Sequence, residues 1–287
     1  MPQTLVSTTE SWDESASALL KTAFEGPTTA LNKVLLESIN TISPFSNASA
    51  ILDTGCGVAQ VLGALIATYG ASLPIETRLV AADLSPGMVS MVGVRQAAEI
   101  SAGNAIWGRV ETAVWDAQNL AATGVPDEIF SHVTAGLLLF MVERPQDVLA
   151  ETRRVLRDGG LFGMTSFRSA EWMDLIDEAL DATKPGSRLP PIPTVWSSTE
   201  SITRQLEDAG FHDVISNEVK TYYEFSDAEA MTRFNVANIP SVKMVTADFS
   251  AEEEEKAIQW ILKWLSERFP SGKGKLEGIA IVATGRK

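Results

Sequence analysis

Three aspartates that each follow an apolar run are the residues of this sequence best placed to do chemistry. Asp53 follows the run 50–52, Asp83 follows the run 79–82, and Asp116 ends a third such segment. Acids at the carboxyl ends of parallel strands meet at one edge of a sheet, where open α/β proteins bind their ligands. Carboxylates accept hydrogen bonds and repel anions. The pattern therefore predicts an acid-lined site for a ligand that has hydroxyl and amino groups and lacks phosphates.

A tight turn with two glycines links the first of these runs to an amphipathic segment. The segment 53–57, Asp-Thr-Gly-Cys-Gly, predicts a strand, a turn and the start of a helix. Gly55 and Gly57 let the backbone turn sharply and approach a ligand closely. A dinucleotide site needs a third glycine where this sequence has Gln60, and no Lys-Ser or Lys-Thr pair follows the turn to cradle phosphates.

Alternating strand and helix patterns must position these acids. Predicted strands cover 50–53, 77–83, 110–115, 129–135, 161–167, 215–225 and 279–284. Helical patterns separate the first five strands, which indicates parallel pairing, whereas 215–225 alternates polar and apolar residues like a half-exposed antiparallel strand. We expect an α/β fold with a doubly wound, Rossmann-like, mostly parallel seven-stranded sheet, an antiparallel last strand and helical cap elements.

The length of 287 residues favours a single domain. Residues 1–45 carry two helical patterns and predict an N-terminal helical cap. Residues 46–167 contain the alternating core, and 168–287 predict a C-terminal half with substrate-cap insertions and the final strands.

Composition excludes several classes of function. The formal net charge of −14 argues against nucleic-acid binding, and two histidines with one cysteine make a zinc site very difficult to build, so no metal is expected. No apolar run reaches the roughly 20 residues that span a bilayer. No signal peptide is evident, and the single cysteine suits a reducing compartment, so we expect a cytoplasmic protein, as a monomer or a homodimer.

Three motifs together resemble class I S-adenosylmethionine-dependent methyltransferases. The segment 53–57 resembles the D/E-x-G-x-G motif of that family, 83–88 resembles its D-x-S-x-x-M segment, and 116–120 resembles its D-A-x-x-L segment. The match extends from about 50 to 167 and is closest in character to the branch that serves quinone biosynthesis and fungal natural products. Ala59 stands where many members have a third glycine, and Ser131 stands where an acid is common.

The resemblance implies that S-adenosylmethionine is the cofactor, with S-adenosylhomocysteine as its product. The residues that it places around the cofactor are Asp53, Gly55, Cys56, Gly57, Asp83, Leu84, Met88, Asp116, Ala117 and Thr134. In that family Asp53 and the glycines hold the methionine end, Asp83 binds the ribose hydroxyls and Asp116 meets the adenine amine. Leu84 and Met88 pack near the adenine, and Thr134 lies below the sulfonium.

Each assignment has a purely structural alternative. Asp83 could be a strand-end acid, Asp116 could cap its own turn, and Met88 could be helix core. Cys56 is best explained as a small residue in the turn, without reactivity. His132 is a weak candidate for a general base, because a histidine inside a buried strand is more often a core residue.

Aromatic residues in the cap segments could form the core or line an apolar substrate pocket. The substrate-binding candidates are Trp12, Phe167, Trp172, Trp196 and Tyr223. By the resemblance, the function is methyl transfer to an oxygen, sulfur or carbon atom of a small apolar or aromatic metabolite, in secondary metabolism, by in-line displacement. The alternative is a protein of the same fold that binds the cofactor without transferring its methyl group, as a pericyclase, a cyclase or a regulatory partner. A nicotinamide oxidoreductase is a weaker third possibility.

Overall fold

The computed structural model describes residues 9–21 and 26–287, and these contain a seven-stranded sheet. The strands are β1 (Ala50–Thr54), β2 (Arg78–Asp83), β3 (Val110–Val114), β4 (Phe130–Ala135), β5 (Leu156–Ala170), β6 (His212–Phe225) and β7 (Gly274–Arg286). Their order across the sheet is β3-β2-β1-β4-β5-β7-β6. Strand β7 is antiparallel to both of its neighbours, and the other pairs are parallel. The expected doubly wound, mostly parallel fold is confirmed.

Two helices precede the sheet and eight follow its first strand within the described residues. They are α1 (Thr9–Lys21), α2 (Pro27–Ile42), α3 (Gln60–Tyr69), α4 (Pro86–Ser101), α5 (Pro145–Val155), α6 (Glu171–Thr183), α7 (Thr199–Asp208), α8 (Ala228–Asn238), α9 (Pro240–Thr246) and α10 (Ala251–Arg268). Short polar side chains begin several of them. Ser250 and Glu253 form a complete capping box at the start of α10, which satisfies two backbone donors that the helix itself leaves unpaired.

Helices cover both faces of the sheet, and each face therefore has its own apolar core. Leu35 of α2 and Leu62 of α3 are buried on one face. Leu149 of α5 and Leu206 of α7 are buried on the other. Burial on two faces explains why the central strands are almost continuously apolar in the sequence.

Strand β5, its antiparallel partner β7 and the next strand β6 extend beyond the carboxyl ends of β1 and β4. Asp53 of β1 pairs with Thr134 of β4, which pairs with Gly163 of β5, and β5 then continues to Ala170. At about 3.3 Å per residue, this extension raises a wall of roughly 20 Å above the edge where the aspartates lie. The C-terminal cap helices α6, α8 and α9 follow the upper ends of these long strands in the chain.

The fifth strand begins earlier than the sequence predicts. Helix α5 ends at Val155, and Leu156 already pairs with Phe130, whereas the pattern predicted a strand that begins at 161. Gly159 has a φ of 69° inside the strand, at an irregularity where the register shifts. Glycine adopts a left-handed φ both at the end of a helix and at an irregularity in a strand. Gly159 in the sequence is therefore compatible with either structure.

Within the C-terminal half, where the sequence predicted cap insertions, α8 and α9 lie between β6 and α10. In the part of the chain that the structure describes, the helices are too short or too polar to cross a bilayer.

Direct packing of α2 on β5 gives a first prediction. A Cβ atom on Gly163 would lie 2.5 Å from Ile39 Cδ1, so Gly163→Val should push α2 away and lower the free energy of unfolding by about 1–3 kcal/mol. Gly93 of α4 has open space around it, and Gly93→Ala should be neutral or stabilise the protein by up to ~1 kcal/mol. Urea unfolding of both variants measures this; equal losses in the two would contradict the packing.

Candidate active site

The turn between β1 and α3 has an unusual backbone. Gly55, Gly57 and Ala59 all have left-handed φ angles, of 61°, 54° and 59°. For a residue with a Cβ atom, such as Ala59, this conformation costs roughly 1–2 kcal/mol and persists only where the surroundings hold it. A Cβ on Gly55 would lie 2.5 Å from Leu138, but a Cβ on Gly57 would meet nothing within 4 Å. The turn is therefore packed on one side and open at Gly57.

Asp83, at the end of β2, connects this turn to the next loop. Its Oδ2 accepts a hydrogen bond from the Gly57 N–H at 2.8 Å, and its Oδ1 accepts one from the Ser85 N–H at 2.9 Å. Burial raises the pKa of Asp83, the two backbone donors lower it, and the nearby charge of Asp13 raises it again. Each carboxylate oxygen keeps a second lone pair, so Asp83 can still accept hydrogen bonds from a ligand's hydroxyl groups.

Asp53 lies beneath the turn. Its side chain is buried, Oδ1 accepts from Thr134 Oγ1 at 2.8 Å, and Oδ2 accepts from the Leu62 N–H at 3.1 Å. Burial outweighs these donors and raises the pKa of Asp53 to about 7. Each oxygen of Asp53 accepts a hydrogen bond from within the protein, and its expected contact with the methionine end of a cofactor stays a prediction. Asp53 and Thr134 support the turn from below.

The other candidates near the turn divide into an exposed and a buried group. Leu84 is 47% exposed beside Asp83, as an apolar contact for a ligand requires. Met88 is 2% exposed and packs with Ala16 of α1 and with Val58, so α1 covers it. Cys56 is also buried, and burial raises the pKa of its thiol well above the ordinary value, which keeps it protonated and unreactive.

Asp116 caps a turn of its own. Its Oδ1 accepts from the Gln118 N–H at 2.8 Å and from Gln118 Nε2 at 3.2 Å. Ala117 beside it is buried among the apolar residues of the α5 face. This is the structural alternative that the sequence left open, and contact with an adenine amine stays a prediction.

His132 is wrong as a candidate base. It pairs with Ile51 near the start of β1, away from the edge that carries Asp83, and it is 1% exposed. Its Nε2 lies 3.1 Å from the carbonyl oxygen of Ser43, and its Nδ1 lies 2.9 Å from Ser131 Oγ. Burial lowers the pKa of His132 to about 4, so the ring is neutral and part of the core.

The aromatic candidates separate onto the two faces of the sheet. Phe167, Trp172 and Tyr223 form an edge-to-face series on the α2 face, with ring centroids 5.5 and 5.8 Å apart. Trp196 lies in the core of the opposite face, which separates it from the other aromatic candidates and agrees with the core alternative for it. Trp12 is half-buried on α1, against the group that contains Met88.

Two polar residues near these candidates, Asn235 and Asp13, were not predicted from the sequence. The Tyr223 hydroxyl donates to Asn235 Oδ1 of α8 at 3.0 Å, which places a polar pair in the aromatic wall. Asp13 of α1 accepts from the Gly87 N–H at 2.7 Å and also bonds Ser85 Oγ. A Cβ on Gly87 would lie 2.8 Å from Asp13 Cα, so glycine at this position of the second motif signals a close approach by another helix.

Arg95 of α4 is the third residue that was missed. Its guanidinium is buried under the turn and donates to backbone carbonyls there. Its position on the inner face of a helical pattern was the available signal, because a buried arginine needs partners. Within the described ranges, no group of three or more His, Cys, Asp or Glu side chains could hold a metal ion.

The chain is similar in sequence to known proteins. A family model described as a methyltransferase domain matches residues 52–164. Methyltransferase ucsB of Acremonium sp is 28% identical over 278 residues, which cover 96% of this chain and 93% of that protein. The matched range of the family model lies inside the segment that carries the three motifs.

Solved structures share the fold at low identity. Phosphoethanolamine N-methyltransferase 2 of Haemonchus contortus, in complex with phosphomonomethylethanolamine and S-adenosylhomocysteine, is 14% identical with a TM-score of 0.51, over 89% of this chain and 52% of that one. The [4+2]-cyclase SpnF is 18% identical with a TM-score of 0.51, over 89% of this chain and 80% of that one. At such identities the likeness establishes the fold alone.

The buried state of His132 predicts a pH dependence of stability. Its folded pKa of about 4 lies below the unfolded value of 6.5, so the stability that it contributes is complete above pH 6.5 and is lost as the pH falls towards 4. The full difference is about 3 kcal/mol. His132→Gln should therefore lose less free energy of unfolding than the wild type between pH 7 and 4.5, as measured in urea.

The matched control is His212→Gln, which removes an exposed imidazole in place of a buried one. Asp53 titrates in all three proteins and cancels in the comparison. Identical pH profiles for the wild type and His132→Gln would contradict the neutral, buried assignment.

Proposed function

We propose that this class I S-adenosylmethionine-dependent methyltransferase, of the fungal natural-product type, transfers the cofactor's methyl group to a small apolar or aromatic metabolite. The single observation that carries the proposal is the hydrogen bond between Gly57 and Asp83 at the open side of the turn. This hydrogen bond joins the Gly57 backbone, which has no side chain, to the Asp83 carboxylate, whose oxygens each keep a second lone pair. The exposed Leu84 lies next to Asp83. A bare backbone, an acceptor for hydroxyls and an apolar contact are what an adenosyl group with an amino-acid tail requires.

The residues present fit that cofactor. Asp83 binds the ribose hydroxyls, Leu84 packs against the adenine, and the backbone at Gly57 admits the methionine end. The cofactor, when bound, supplies a methyl group on a positively charged sulfur. Asp53 lies beneath the turn and contributes negative charge without direct contact, to a degree that depends on its ionisation. No phosphate has to be neutralised, which agrees with an edge rich in acids.

The protein's contribution to the reaction is alignment and exclusion of water. In-line displacement with a neutral leaving group needs the acceptor atom held close to the methyl group, and proximity of this kind supplies much of a rate enhancement. The extended strands β5, β6 and β7 raise the aromatic series of Phe167, Trp172 and Tyr223 above the cofactor edge. We assign this wall to the acceptor molecule, with the pair of Tyr223 and Asn235 as its polar contact.

The positions of the two histidines limit which acceptor groups could be methylated. His132 is buried away from the cofactor edge and His212 is exposed at the start of β6, so neither supplies an imidazole base there. We therefore propose an acceptor that ionises with little help, such as a thiol, an acidic phenol or a carbon between two carbonyl groups. In this proposal residues 46–167 hold the cofactor, and residues 1–45 and 168–287 form the cap of the same domain.

Cofactor binding is tested at Asp83. Hydrogen bonds to a charged group contribute about 1.5–3 kcal/mol each, so losing two of them through Asp83→Ala should weaken binding of S-adenosylhomocysteine by roughly a hundredfold or more. Isothermal titration calorimetry measures the affinity, and a melting curve checks that the variant is folded. Glu111→Ala, which removes an exposed acid from β3, should bind like the wild type. Unchanged affinity in folded Asp83→Ala would overturn the ribose assignment.

Methyl transfer is tested separately from binding. The wild type should form S-adenosylhomocysteine from S-adenosylmethionine with members of a panel of phenols, thiols and β-dicarbonyl compounds, as followed by mass spectrometry. Binding of both cofactor forms without turnover of any panel member would count against transfer and favour the non-methylating alternative. Stabilisation by NADH in place of S-adenosylmethionine would overturn the cofactor itself.

A further inference from the structure

A buried cation holds the turn of the candidate cofactor site from below. Arg95 of α4 is 5% exposed. Its Nη1 donates to the carbonyl oxygen of Val58 at 3.0 Å and to that of Ala59 at 2.6 Å. These two residues follow Gly57, the open position of the turn, and precede the first residue of α3. One guanidinium nitrogen therefore fixes the direction of two consecutive peptide groups.

The surrounding residues are shaped around this side chain. A Cβ atom on Gly63 would lie 2.1 Å from Arg95 Nη2, so α3 has a glycine where the guanidinium passes. Arg95 Cζ lies 4.7 Å from the centre of the Trp107 ring, and Arg95 Nε lies 3.9 Å from Glu99 Oε1. A planar, permanently charged group suits stacking and paired donation at once, which lysine does not reproduce.

The turn has a specific need for such a brace. Ala59 is left-handed although it has a Cβ atom, and its carbonyl also accepts from the Gly63 N–H at 2.9 Å, the bond that begins α3. Pinning this carbonyl inward keeps the Gly57 N–H directed at Asp83. Without the guanidinium, the peptide groups of 58 and 59 lose the contact that opposes relaxation of the strained residue.

Arg95 also opposes the negative charge of the site. Asp53 and Asp83 repel each other, and the positive charge of Arg95 lowers the pKa of Asp53 against the effect of burial. The charged or titratable groups around Asp53 are Asp83 on β2, Cys56 in the turn and Arg95 on α4. The guanidinium thus lies within electrostatic reach of the acid that supports the methionine end.

We propose that Arg95 is a positioning residue for cofactor binding, which acts through the carbonyls of Val58 and Ala59 to hold the turn in its binding shape. The inference rests on the proposed function, because it concerns the same cofactor. A merely structural brace would change stability and leave the affinity of folded protein unchanged. Arg95 changes both.

Arg109 is a matched control within the same chain. Its Nη2 donates to the carbonyl oxygens of Pro74 and Thr77 at 2.8 and 2.7 Å, so it braces a turn by the same chemistry. That turn precedes β2 and lies at the opposite end of the strand from Asp83. Arg95→Met and Arg109→Met therefore remove the same type of interaction from a site turn and from a remote turn.

The experiment is calorimetric titration of S-adenosylhomocysteine into the full-length variants, with melting temperatures measured in parallel. Arg95→Met should bind at least tenfold more weakly than the wild type, and Arg109→Met should bind within twofold of it, while both melt at lower temperature. Arg95→Lys keeps the positive charge and loses the planar guanidinium, so its affinity for S-adenosylhomocysteine should lie between those of Arg95→Met and the wild type. If Arg95→Met does not fold, the lysine variant decides the question by the same comparison.

The pH dependence of the affinity is a second measurement, which a change in stability alone would leave unchanged. In the wild type, the affinity for S-adenosylhomocysteine should rise near pH 7, where Asp53 ionises. Because Arg95→Met removes a positive charge near Asp53, this rise should shift to higher pH in that variant. It should stay at the wild-type pH in Arg109→Met. Wild-type affinity and an unshifted profile in folded Arg95 variants would overturn the proposal and leave the proposed function intact. Failure of the wild type to bind the probe would overturn both.

Discussion

The structure depends on how the chain leaves its first strand. Between β1 and α3 it turns through three left-handed residues, of which Ala59 has a Cβ atom and is therefore strained. Three interactions hold this turn against relaxation. The Cys56 N–H donates to the Ala82 carbonyl at 3.0 Å, the Gly57 N–H donates to Asp83, and Arg95 donates to the carbonyls on the helix side. Each comes from a different part of the second βα unit, so the turn has its shape only when β2 and α4 are docked.

Holding a turn in this way concentrates charge. Asp53 lies below it, Asp83 lies beside it, and Asp13 reaches the start of α4 from the N-terminal helix, so three acids surround one short segment. Burial and mutual repulsion raise the pKa values of Asp53 and Asp83. Backbone donors and the Arg95 guanidinium offset part of this cost. A ligand with hydroxyl groups and a cationic amine would relieve it further, whereas an anionic ligand would add to it.

The two halves of the sheet differ in strand length and in the side chains that they carry. The parallel half, from β3 to β4, ends level with the turn between β1 and α3. The half made of β5, β7 and β6 continues upward and carries the aromatic series and the pair of Tyr223 and Asn235. Long antiparallel pairing makes this extension possible, because β6 and β7 stabilise each other beyond the point where β4 has ended. The edge that carries the three aspartates and the wall that carries the aromatic series are thus built from one continuous sheet.

The sequence by itself determined the order of strands and helices, the three aspartates at strand ends and the family to which the motifs point. These depend on local periodicity, and on glycines whose conformational needs are read within a few residues. Only the tertiary structure decided where the side chains face. In the structure Asp53 bonds inward, and His132 and Trp196 are buried in the core. Asp13 contacts the start of α4, and Arg95 contacts the turn after β1. Those outcomes depend on contacts between residues far apart in the chain. Alternation along a strand shows that successive side chains point to opposite faces, but it does not show which face meets which helix.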